Sequence, residues 1–154
     1  MREYITYLQC SDTCSYKKVR EMAHLNRKRA LLMNEEDIIS VIKKDEWMMG
    51  ALRAAKSLEL QDWWICAGFI RSKIWDTLHN FSVRKQLPDV DLIYFNPSRI
   101  DEVEEKELEK RLKTIIPCIP WSVKNQARMH FQNNFPPYFS SVDAIAKFQK
   151  QQQH

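Results

Sequence analysis

The run Asp62–His79, "DWWICAGFIRSKIWDTLH", changes its hydrophobic period halfway along, and that change decides the fold. Its first part, "DWWICAGF", is short, apolar and rich in aromatic and β-branched residues, which predicts a buried strand stopping at Gly68. Its second part puts Ile70, Ile74, Trp75 and Leu78 on one side of a helix. The unit is strand, glycine, helix. The chain has only two glycines, Gly50 and Gly68. A glycine at such a junction serves either close packing of helix on strand or the approach of a phosphate to free helix N–H groups.

On the C-terminal side, Pro88–Phe95, "PDVDLIYF", predicts a second strand entered at Pro88. Asn96, Pro97 and Ser98 make a turn, and a highly charged helix follows with Ile100, Val103, Leu108 and Leu112 to one side. Its many acids and bases read as a solvated face. "PCIPWSV", bounded by Pro117 and Pro120, predicts a third strand. Short helices are expected around Asn125–Phe131 and Val142–Phe148. On the N-terminal side, Asn34 before Glu35, Glu36 and Asp37 has the form of an N-cap. Helical spacing then runs to about Leu58, with a break near Lys44 and Asp45. Residues from about Tyr16 to Met33 read as a charged helix. The expected fold class is α+β: a small mixed sheet flanked by helices, with an extra helical N-terminal segment. The expected division is a basic extension over residues 1–33, one domain over 34–148 and a disordered tail over 149–154.

With 154 residues, 44% hydrophobic and 29% charged, the chain can bury one core and is not of disordered composition. Its uncharged apolar run Trp63–Ile70 is eight residues long, far short of the roughly 20 that cross a bilayer. The opening "MREYITYLQC" lacks the apolar core of a secretory signal, so no membrane association and a cytoplasmic address are expected. Cys10, Cys14, Cys66 and Cys118 read as reduced thiols, and the C-x3-C of Cys10 and Cys14 lacks a second pair of zinc ligands. Residues 1–33 carry seven basic groups and three acids, a balance of +4, while the remainder has 17 of each. That basic segment reads first as a solvated helix face and, more weakly, as a nucleic-acid contact.

Asp89 and Asp91 are the chemical feature of the second strand. Residues i and i+2 project to one face, and two adjacent carboxylates stay ionised most easily around a cation. Mg²⁺ suits them, because it takes one or two carboxylates together with substrate phosphates. Gly68, Arg71 and Lys73 before them, and Lys124 and Arg128 after the third strand, supply groups that meet phosphate. Metal-binding and phosphate-binding groups in one unit suit transfer of a nucleotidyl group.

The segments "DWWICAGFIRSKIWDTLH", "DVDLIYF" and "PWSVKNQARMH", in this order, resemble a bacterial family of predicted nucleotidyltransferases in the DNA polymerase β-like superfamily. The resemblance covers roughly Asn34–Phe148 and implies the nucleotidyltransferase fold. It implies Asp89 and Asp91 as the catalytic, Mg²⁺-binding acids, and Gly68 as the turn that admits the triphosphate with Arg71 nearby. The third acid of the superfamily would come from the third strand, where this chain has Ser122, which is neither an anionic ligand nor a base. Strand alternation puts Lys124 on the same face as Ser122. Asn125 is expected either to cap the following helix or to contact substrate. Two further departures are Phe69, where a small residue is common, and the ending "QKQQQH". Asp62 and Asp76 are the remaining acids considered for the missing position, and one of Trp63 and Trp64 is expected to line a base-stacking pocket. The implied function is Mg²⁺-dependent binding of a nucleoside triphosphate, with nucleotidyl transfer to a hydroxyl acceptor that the resemblance leaves unsettled. The alternative is a catalytically degenerate nucleotide- or partner-binding module.

Overall fold

The computed structural model describes residues 34–66 and 68–151. The expected N-terminal extension, residues 1–33, lies outside them, as do residues 152–154 of the tail. Within the described residues, α1 spans Glu35–Lys43 and α2 Glu46–Lys56, followed by β1 over Trp64–Ile65 and α3 over Gly68–Leu78. Next come β2 (Val90–Tyr94), α4 (Glu102–Ile115), β3 (Trp121–Asn125), α5 (Gln126–Asn133) and α6 (Ser141–Gln151). The sheet order is β1-β2-β3. β1 pairs antiparallel with β2, and β2 parallel with β3, which makes the sheet mixed as expected.

Helix starts follow the sequence closely. Asn34 and Asp37 form a reciprocal capping box, each side chain accepting from the other's backbone N–H. The expected break falls at Lys44, and Asp45 caps α2 by accepting from the Met48 amide. Met48, Ala51, Ala54 and Ala55 of α2 then join Phe69, Leu92, Tyr94, Leu108, Leu112 and Val123 in one core. Asn80, at φ 55°, ends α3 in the left-handed region, with the Phe81 amide returning to the Asp76 carbonyl.

Three boundaries differ from expectation. β1 is two residues rather than the whole of "DWWICAGF": Asp62 turns the chain at φ 47°, and Phe69 is already helical and buried. A short apolar run has no period that separates a strand from the start of a buried helix. β3 begins only after Pro120, whose carbonyl accepts the Val90 amide at 2.8 Å, so "PCI" is a turn rather than strand. α6 continues to Gln151, making residues 149–151 of the expected tail helical.

The charged helix α4 departs most. Glu105 and Glu109 are buried beside Leu108 and Leu112, not solvated. β3 is the sheet edge among the described residues, so its outward amides at Val123 and Asn125 need acceptors from elsewhere. Glu109 accepts from Val123 N at 3.1 Å and Glu105 from Asn125 N at 3.0 Å. Acids i and i+4 on a helix stand about 6 Å apart along its axis, and strand residues j and j+2 about 6.6 Å. The two spacings match, and α4 closes the edge of the sheet.

Candidate functional site

The two faces of the sheet differ. Val90, Leu92 and Tyr94 of β2, with Trp121, Val123 and Asn125 of β3, are all buried in the helix-covered layer. On the other face the register sets Asp91 beside Ser122 and Ile93 beside Lys124. β1 continues that face: Trp64 lies opposite Ile93, and the Cys66 amide donates to the Asp91 carbonyl at 2.9 Å. Asp91, Ser122 and Lys124 are each only half-buried. Asp89, exposed, immediately precedes β2.

The electrostatics bind these residues into one group. Burial pushes the Asp91 carboxyl up. The Ser122 hydroxyl pulls it back, the Asp89 charge adds to the rise and Lys124 opposes it, and the balance stays above the usual carboxylate value. Burial, then the Asp91 charge, push the Cys66 thiol up to about 11. At neutral pH that sulfur is protonated and is not a nucleophile. Lys124 also reaches Glu105 at 3.5 Å, so its ammonium is shared between the site and the α4 edge. Glu105 holds Arg128 as well, at 2.8 Å, which commits Arg128 to the scaffold.

Gly68 opens α3 two residues beyond Cys66. Its φ is not positive, and a Cβ added there would meet nothing closer than the Ser72 hydroxyl at 4.0 Å. Among the described residues no close packing calls for glycine at this position. Arg71 is exposed one turn into the helix. Lys73 is taken by Asp45 at 2.8 Å.

The structure brings together Asp89, Asp91, Ser122 and Lys124, and separates Asn125 from them. Asn125 is fully buried on the helix-covered face. Its oxygen accepts from the Asn96 and Ala127 amides, and its nitrogen donates to the Asn96 and Arg99 carbonyls. The expected N-cap stands, and the substrate contact is corrected because the amide is saturated internally. Asp62 is spoken for too, accepting from Trp64 Nε1 and from the Ser141 amide. Asp76 is buried in α3 and makes no ion pair among the described residues. The buried Glu105 and Glu109 escaped the sequence reading, although E-x2-L-E-x2-L over Glu105–Leu112 is a helical face and carried the signal.

Two carboxylates and a neutral hydroxyl fit one Mg²⁺ that completes its shell with water and phosphate oxygens. They are a ligand short for two metals. Among the described residues no group of three His, Cys, Asp or Glu side chains is gathered as for a metal ion. No described helix is long and apolar enough to cross a membrane.

Comparison with known proteins meets this geometry. No curated protein matches the chain. A solution structure described as revealing a CCA-adding enzyme head domain is similar, with a TM-score of 0.64 and 34% identity over 74% of this chain and 60% of that one. The chain thus spans 60% of the length of that neighbour. The sequence profile of a family described as nucleotidyltransferase matches residues 53–154, which include β1, Gly68, both aspartates and β3. The chain belongs to this nucleotidyltransferase family.

Proposed function

We propose that the chain binds a nucleoside triphosphate with Mg²⁺ on the open face of the sheet and transfers its nucleotidyl group to a hydroxyl acceptor. The observation that carries this reading is the register that sets Asp91 beside Ser122, with Lys124 two residues on along the same face, which also meets the start of α3 through Cys66. Asp89 and Asp91 hold the metal. The first amides of α3, opened by Gly68, receive phosphate with Arg71 and Lys124 as cations. The chemistry a bound Mg²⁺ supplies is charge neutralisation on phosphate oxygens. In the transfer, the acceptor hydroxyl gives up its proton to solvent as its oxygen bonds to the α-phosphorus, the bond to the bridging oxygen breaks, and pyrophosphate leaves.

A second reading keeps the binding and drops the transfer, and Ser122 favours it. A hydroxyl beside Asp91 cannot take the acceptor's proton at neutral pH. Pyrophosphate release from nucleoside triphosphates with Mg²⁺ and varied hydroxyl acceptors separates the two. Release by the wild type, lost in Asp91→Asn, supports transfer. Release only after Ser122→Glu supports the binding module. If neither protein releases pyrophosphate nor binds a triphosphate, both readings fall.

A further inference from the structure

Trp63 and Trp64 are neighbours with opposite environments. Trp63 packs against the core, whereas Trp64 is 48% exposed. Trp64 stands opposite Ile93, and Asp91 is two residues from Ile93 on the same face. Diagonal neighbours of this kind across an antiparallel pair are about 7–8 Å apart. Trp64 and Asp91 therefore leave the sheet as diagonal neighbours on one face, Asp91 being the acid that the proposed function assigns to the metal and phosphates.

The ring is also held. Its Nε1 donates to Asp62 Oδ1 at 3.1 Å. The other Asp62 oxygen accepts from the Ser141 amide at 2.7 Å, and the Asp62 carbonyl accepts from the Ser141 hydroxyl at 2.7 Å. Ser141 is fully buried at the start of α6, where the helix dipole favours the Asp62 carboxylate. A half-exposed tryptophan is thus tied through its one polar atom to a buried anchor. A fixed aromatic surface loses little freedom when a flat ligand covers it.

The neighbours on this face decide what that ligand is. Asp89, Asp91, Ser122 and Lys124 are charged or polar, and an apolar polypeptide laid over Trp64 would have to bury them unpaired. A molecule with an aromatic ring at one end and phosphates at the other meets both regions. Resting on the proposed nucleotide reading, we infer that Trp64 is the stacking platform for the base of the bound nucleoside triphosphate. Base stacking is tolerant of base identity, so Trp64 distinguishes a nucleotide from inorganic phosphate more than one base from another.

Calorimetric titration of the full chain with Mg²⁺ and either inorganic tripolyphosphate or adenosine triphosphate tests this. In the wild type the nucleotide binds more tightly than tripolyphosphate. Trp64→Ala weakens nucleotide binding roughly 5- to 100-fold and leaves tripolyphosphate unchanged. Trp64→Phe restores most of the loss. Indole fluorescence gives a readout that survives if the alanine variant does not fold: the nucleotide quenches the wild type more than Trp64→Phe. An unchanged nucleotide affinity in Trp64→Ala, or equal quenching in Trp64→Phe, overturns the platform while tripolyphosphate binding leaves the site standing. Absence of binding by both ligands in the wild type overturns the nucleotide reading itself.

Discussion

Replacing Glu105 by glutamine removes the charge on which the edge of the sheet depends. Glu105 is fully buried and accepts from Asn125 N at 3.0 Å, from Arg128 at 3.1 and 2.8 Å, and from Lys124 at 3.5 Å. In Glu105→Gln one oxygen still serves the Asn125 amide, but an NH₂ group now faces the guanidinium, donor against donor. Removing one partner of a buried pair costs about 3–5 kcal/mol. Arg128 keeps some solvent and has Glu102 at 3.9 Å, so the lower end applies, about 3 kcal/mol. Glu109→Gln provides the scale. It keeps an acceptor for Val123 N, and its cation Lys106 is more than half exposed, so about 1 kcal/mol is expected. Urea denaturation at neutral pH measures both, with a lowered midpoint and unchanged slope. Amide exchange adds a local reading: the neutral acceptor holds Asn125 N less firmly, so its protection falls in Glu105→Gln more than that of Val123 N. Equal costs in the two variants, or a Glu105→Gln cost below about 1 kcal/mol, would refute the edge-clamp argument.

Gly68→Ala keeps stability or raises it by up to about 1 kcal/mol, since φ is ordinary and a methyl meets nothing nearer than 4.0 Å, while triphosphate affinity falls; thermal melting and titration check the two halves separately. Asp45 supplies acid sensitivity. Burial pushes its carboxyl up, but Lys73, the Met48 amide and Arg84 outweigh that and hold it below the usual value. A depressed carboxyl stabilises above the unfolded value near 3.9 and loses that contribution as pH falls through the folded one. Asp45→Asn, still a good cap, therefore costs about 2 kcal/mol at pH 7, and the cost shrinks as pH falls below the usual carboxylate range, read from denaturation midpoints across pH. Asp91 has the opposite sign. Its raised carboxyl is a burden when ionised, so Asp91→Asn melts higher than wild type at neutral pH in EDTA, and the gap closes as pH falls and the wild type takes up the proton.

How much of this was legible in the sequence varies with the physics of each element. Caps at Asn34, Asp45 and Asn125 rest on local chemistry, and the helices begin where that chemistry says. The D-x-D spacing gave the face of Asp91 because strand alternation is a local rule. The partner of that face was also readable, since "WSVKN" alternates and the register falls at Asp91 and Ser122. Strand length was not readable. β1 ends when the pairing with β2 ends, a non-local event that "DWWICAGF" does not encode. The role of Glu105 and Glu109 depends on a sheet edge contributed by other residues, so a charged helix looked merely solvated. Asn125 was ambiguous for the same reason: its four partners come from Asn96, Arg99 and Ala127.

The central claim is that Asp91 and its neighbours form a Mg²⁺-dependent nucleotide site. Calorimetric titration of a non-hydrolysable nucleoside triphosphate into wild type and Asp91→Asn, each with Mg²⁺ and with EDTA, tests it most directly. The account predicts binding by the wild type with Mg²⁺ only, and none by Asp91→Asn in either condition. Equal binding by the two proteins, or wild-type binding indifferent to EDTA, would contradict it.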